Sequence, residues 1–110
     1  MGVTVDGFRK LALALPEAEE RAHMGHPDFR VRGKIFATVP PDGGHVHVFA
    51  GEEFREPAVA MHPEFIEQLH WGKKVVGVRI ALARAKPDIV EQLVRRAWEA
   101  KAPKRLSKAG

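Results

Sequence analysis

The apolar residues of this chain change their spacing several times, and the changes divide it into elements. Phe8, Leu11, Ala12 and Leu15 recur at helical spacing, which predicts a first helix capped by Thr4 and running to about Ala14. Pro16 ends it, because proline lacks an amide donor and restricts the residue before it. The acidic run Glu17 to Arg21 leads into a short strand expected near Glu20 to Met24. Gly25-His26-Pro27-Asp28 is turn chemistry, and then the period becomes two. Phe29, Val31, Ile35, Ala37 and Val39 are expected on one face, with Asp28, Arg30, Arg32, Lys34, Phe36 and Thr38 on the other. Gly33 turns the chain between these two strands, and Pro40 to Gly44 turns it again. His45 to Ala50 then alternates, with Val46, Val48 and Ala50 opposite His45, His47 and Phe49.

Beyond this meander, Gly51 to Met61 reads as a short helix interrupted near Pro57, and Pro63 to His70 as a turn or a strand. Trp71-Gly72-Lys73-Lys74 reads as a hairpin turn. Val75 to Leu82 is the strongest strand signal, with Val76, Val78 and Ile80 on one side and Val75, Gly77 and Arg79 on the other. A last helix is expected from Pro87, a favoured first helical position, with Asp88 complementing the helix dipole. Its apolar stripe is Ile89, Val90, Leu93, Val94, Ala97 and Trp98, and Pro103 stops it. The order of elements predicts an α+β fold: a two-layer sandwich whose antiparallel sheet carries the N- and C-terminal helices on one face. Residues 1–103 would form this single domain, with 104–110 a short, basic, loose tail.

Composition narrows the chemistry. The chain has 110 residues, enough for one core without disulfides, and no cysteine, which excludes zinc fingers, iron–sulfur clusters and thiol catalysis. Lys plus Arg is 18 against 14 Asp plus Glu, so the net charge of +4 favours anionic partners. Neither a signal-like start nor a run of about 20 apolar residues occurs, so a cytoplasmic location and no membrane partner are expected.

No catalytic motif stands out. The chain has one serine, Ser107, and Gly43-Gly44 is a plain turn rather than a phosphate loop. Glu52, Glu53 and Glu56 have the spacing of a solvated helix start, and His26 with Glu19 or Glu20 is the one acid–base arrangement on offer. His45 and His47, two apart on one strand, with His23 and His26 nearby, are metal-capable imidazoles, but no carboxylate sits at a fixed ligand spacing among them. A non-enzymatic protein with neither metal nor cofactor is the expectation.

The richest surface is the polar sheet face. Arg30, Arg32, Lys34 and Arg79 supply charge for phosphates, and Lys73 and Lys74 form a flanking loop. Phe36 and His47, with Phe49 and His45 beside them, supply flat rings on which bases stack. The bland reading of the same residues is a solvated sheet face with aromatics packed across strands. Phe65 and Trp71 are candidates for a partly exposed aromatic pair, whereas Trp98 reads as core.

Leu15-Pro16-Glu17, Gly25-His26-Pro27, Phe29-Arg30-Val31, Gly33-Lys34-Ile35-Phe36-Ala37, the proline segment at Met61-His62-Pro63 and the close at Ala97-Trp98 and Ala102 to Leu106, in that order, carry a family likeness. The chain resembles the MmcQ/YjbR family, small bacterial proteins described as DNA-binding-like. That resemblance implies a frataxin-type α-β sandwich and supplies no catalytic residue set. It does not carry iron binding, since the first helix offers only Asp6 and a nearby Glu17. The expected function is therefore weak DNA or RNA binding without strong sequence preference. The alternative is an interaction module for a protein or small anionic ligand on the same face.

Overall fold

The structure is a computed structural model that describes residues 2–23 and 25–104. Of the expected basic tail only Lys104 falls within these residues; the remainder, with Met24 at the predicted end of the first strand, lies outside them. Helix α1 spans Val5–Leu13, and Thr4 caps it by accepting the Gly7 amide at 2.9 Å. Four strands follow: β1 Ala18–His23, β2 His26–Val31, β3 Lys34–Thr38 and β4 His45–Val48. Helix α2, Glu52–Met61, leads to β5 Ile66–Trp71 and β6 Lys74–Ala81, and a single 3₁₀ turn at Leu82–Arg84 enters helix α3, Pro87–Lys101.

The strands form one antiparallel sheet in the order β1-β2-β3-β4-β6-β5. Strand β6 enters between β4 and β5, so β1 and β5 are the edges. Helices α1 and α3 pack on each other, and α3 lies on β3 and β4. Helix α2 joins the same layer. Its Phe54 ring lies 4.8 Å below the Arg96 guanidinium of α3. Arg55 donates to the carbonyls of Ala50 at 2.9 Å and Val75 at 2.8 Å, which ties α2 to β6. The sandwich is thus two-layered as expected, with three helices rather than two on the covered face. The interruption expected at Pro57 is absent. The helix runs through it even though the proline cannot donate to the Glu53 carbonyl one turn earlier.

The core between the layers is built from the stripes read in the sequence: Phe8 and Ala12 of α1, Val46 and Val48 of β4, Val78 and Ile80 of β6, and Val90, Leu93, Val94 and Ala97 of α3. Trp98 is fully buried at its centre, and its indole N–H donates to the Pro16 carbonyl at 3.0 Å. That bond ties the last helix to the chain leaving the first.

Two bulges overturn part of the expected face assignment. Phe29 pairs with Ala37, but Arg30 pairs with Ile35, so Phe36 is an extra residue in β3. Phe36 therefore turns inward beside Ala37, both at 0% exposure, and Ile35 turns outward. The two residues exchange the faces that strict alternation assigns them. In β6, Leu69 pairs with Gly77 and His70 with Val75, which leaves Val76 as the extra residue, and it lines the open side rather than the core. Gly77 allows β4 to pass close by: a Cβ there would meet the Val48 carbonyl oxygen and come within 2.9 Å of the Phe49 Cα.

The β2–β3 connection is the two-residue turn Arg32-Gly33, with φ of +52° and +81°. Both central residues are left-handed, the combination that suits a tight hairpin. Glu17, just ahead of β1, is also left-handed at φ +56°. These two left-handed non-glycine residues are ion-paired to each other: the Arg32 Nε and Nη2 donate to the Glu17 carboxylate at 2.6 and 3.0 Å.

Candidate functional site

With the helices on one side, the other face of the sheet is left uncovered. The strand pairing runs a row of side chains across it: Asp28, Thr38, His47, Arg79 and Glu67. Most of the cations expected to meet phosphate on this face are already engaged. Arg30 forks onto Asp28, with Nε to Oδ1 at 2.8 Å and Nη2 to Oδ2 at 3.1 Å. Arg32 is held by Glu17, and Arg79 donates through Nη2 to Asp42 at 3.0 Å. The hydrogen bonds to Glu17 and Asp28 hold the Arg32 and Arg30 guanidinium pKa values above the ordinary arginine value. Reversing charge at Arg30 and Arg32 together therefore strips two ion pairs, and would test the fold as much as any binding.

His47 is also committed. Its Nε2 lies 3.1 Å from the Arg79 Nη1. A guanidinium only donates, so Nε2 is the acceptor and the ring is neutral. Burial, followed by the nearby Arg79 charge, pushes the His47 pKa below the ordinary histidine value. His45 Nδ1 sits 3.2 Å from Asp42 Oδ2, outside hydrogen-bonding geometry. Asp42 also accepts the amides of Gly44 at 2.8 Å and His45 at 3.1 Å, and its pKa is lowered, chiefly by the Gly44 amide. Among the described residues no group of three or more His, Asp or Glu is arranged to hold a metal ion.

The stacking residues are redistributed. Phe36 is in the core, turned there by the bulge, and offers no surface to a base. Phe49 is nearly covered; it meets Trp71 edge-to-face, with ring centroids 5.4 Å apart. Phe65 is buried against the His62 ring, so the pair expected between Phe65 and Trp71 does not form. Trp71 itself is 61% exposed, an unusual degree for an indole, and it stands at the tip of the β5–β6 hairpin.

Unengaged cations collect around that tip. Lys74 pairs with Trp71 across the turn, and Lys73 lies in the turn. Strands β3 and β6 run in the same direction with β4 between them, so Lys34 at the start of β3 lies at the same end of the sheet. All three lysines are exposed, and none forms an ion pair among the described residues.

From this end a cleft of about 430 Å³ runs along β3. Its walls are apolar: Ile35, Val39, Pro40, Phe49, Trp71 and Val76. Its polar groups are His26, Asp28, Thr38 and Lys101, the last residue of α3. Sequence reasoning missed Ile35, Val76, Asp28 and Lys101. For the first two the missing knowledge is the pair of bulges. For Asp28 a signal was present, since Asp28 and Arg30 are two apart on one strand and so share a face.

Comparison with known proteins agrees with this architecture. The family model for YjbR matches residues 13–100, and the chain belongs to that family. The crystal structure of Deinococcus radiodurans protein DR2400, with a DUF419 domain, superposes with a TM-score of 0.70 at 17% identity, covering 89% of this chain and 78% of that one. At that identity the likeness is one of fold. No curated protein matches the chain. Among the described residues no helix is long and apolar enough to cross a membrane.

Proposed function

We propose that this protein binds single-stranded or unpaired nucleic acid through the lysine-fringed end of its open sheet face, with contacts to the backbone dominating. One observation carries the reading: an indole 61% exposed shares its hairpin with Lys73 and Lys74. A flat ring beside exposed cations is what an unstacked base and its phosphates require. The net charge of +4 adds long-range attraction of the same sign. Arg30, Arg32 and Arg79 shape the face through their carboxylate partners; Lys34, Lys73, Lys74 and Trp71 make the contacts. No catalytic role is assigned.

Fluorescence anisotropy with labelled single- and double-stranded DNA and RNA, at low and moderate salt, tests this. Three to four phosphate contacts on a single strand give a log–log salt slope of about −2 to −3. Charge reversal of Lys73 and Lys74 to Glu lowers both affinity and slope. Trp71→Ala weakens binding about 5- to 150-fold, the worth of one stacked base at roughly 1–3 kcal/mol. Absence of binding at low salt overturns the reading.

A further inference from the structure

We infer that the cleft along β3 is a binding site for a small aromatic carboxylate, with the ring held among Ile35, Phe49, Trp71 and Val76 and the negative charge met by Lys101. The inference goes beyond nucleic-acid binding and does not depend on it.

The cleft has the build of a ligand site. Its volume of about 430 Å³ lies in the range of sites that enclose a small molecule. Ile35 and Val76 stand on the open side of the sheet because each of their strands carries a bulge. Apolar side chains on an uncovered face gain from a ligand that takes them out of water. Beside them Phe49 meets Trp71 edge-to-face, and the indole stays 61% exposed. A planar ring completes that pair in the offset or edge-on geometry that aromatics prefer.

The charged groups set the sign of the ligand. Asp28 is 2% exposed, and its carboxylate is taken by the Arg30 fork, so the two charges cancel and the acid is closed to a ligand. Lys101 lines the cleft from the end of α3, is half-buried, and forms no ion pair among the described residues. An ammonium beside apolar walls is less screened than one in open solvent, so its hydrogen bond to a carboxylate counts for more. One cation beside an apolar slot matches a monoanion; a phosphate monoester would bring a second charge with no partner. His26 and Thr38 also line the cleft and can donate to the same carboxylate.

The test is displacement of a fluorescent anion, anilinonaphthalene sulfonate, by naphthoate, its amide naphthamide, and the cation naphthylmethylamine. The three share a ring system and differ in charge, and the dye is excited where naphthalene does not absorb. Naphthoate displaces the dye about 10-fold more effectively than naphthamide, the worth of one hydrogen bond to a charged group, and the amine is the weakest. Lys101→Met keeps the stem and removes the charge. It brings naphthoate down to the level of naphthamide and leaves naphthamide unchanged, whereas a structural role for Lys101 would move both. Trp71→Ala, at a side chain too exposed to carry the fold, weakens all three. Absence of dye binding, or failure of naphthoate to displace the dye, overturns the assignment. So does equal displacement by naphthoate and naphthamide, or a naphthoate preference that survives Lys101→Met. No nucleic acid is present in the assay, so each of these results leaves the nucleic-acid reading standing.

Discussion

Gly77→Ala gives a direct measure of how closely β4 and β6 approach. The added methyl would meet the Val48 carbonyl oxygen and lie 2.9 Å from the Phe49 Cα. Both neighbours are backbone atoms, so no rotamer change relieves the contact, and one strand must move. Overpacking costs about 1–3 kcal/mol where side chains yield; with main chain on the far side we expect the top of that range. For a domain near 100 residues, about 1 kcal/mol shifts the melting temperature by roughly 4–8 °C, so about 3 kcal/mol predicts a fall of roughly 12–24 °C. Thermal and urea unfolding followed by circular dichroism read it. Gly33→Ala is the contrast: nothing lies within 4 Å of its added methyl, and its φ of +81° leaves only the conformational cost of a left-handed residue, about 1–2 kcal/mol. Because Phe49 backs Trp71, the Gly77 variant also shifts tryptophan emission before any unfolding. A Gly77→Ala protein melting within about 2 °C of the parent would refute the packing argument.

Three further predictions follow from separate features. Phe36→Ala should cost about 3–5 kcal/mol and Ile35→Ala clearly less, since the bulge places one in the core and the other at the cleft; equal losses in urea titrations would mean that no bulge is present. Trp98→Phe should destabilise by about 1–3 kcal/mol, through lost volume and an orphaned Pro16 carbonyl, and faster exchange of the α1–β1 amides should accompany the lower midpoint. His47 has a depressed folded pKa, so its contribution to stability is complete above the unfolded value near 6.5 and is lost as pH falls from there toward the folded value. Across that window stability should drop in the parent and stay flatter in His47→Gln, and an NMR titration of the ring that gave a pKa above 6.5 would contradict the Arg79 contact.

Helix α3 and the hairpins were legible because their signals are local: Pro87 with its apolar stripe, Gly33, and the glycines after Pro41. Helix α2 was legible as a segment but not as a third helix of the covered layer, since its placement depends on Arg55 and Phe54 reaching partners 20 and 42 residues further on. The sheet face was read correctly at Arg30, His47 and Arg79 and wrongly at Ile35, Phe36 and Val76. A bulge adds one residue without altering composition, so one alternation carried across it misassigns residues on one side of it: Ile35 and Phe36 in β3 and Val76 in β6, whereas Ala37, Val78 and Ile80 face the core as expected. The charges misled for a different reason. The partners of Arg32 and Arg79 are 15 and 37 residues away in sequence, so guanidinium groups that looked available are spent within the fold.

The Glu17–Arg32 pair has a consequence for how the molecule fails. Strand β1 is an edge, paired in the sheet only with β2, and its middle residues Glu19 to Ala22 are exposed, with Glu20 accepting from Arg9 of α1 at 2.8 Å. Such a strand is the natural first segment to detach in a partial opening. The ion pair fastens its start to the β2–β3 turn, joining two residues whose backbone conformations are each costly alone. High salt or protonation of Glu17 loosens that fastening. Detachment then uncovers the hydrogen-bonding edge of β2, a template for pairing with another chain. The aggregation that follows would begin from a nearly intact molecule, and its rate would track the strength of the surface ion pairs that hold β1, Glu17–Arg32 and Arg9–Glu20, rather than the stability of the core.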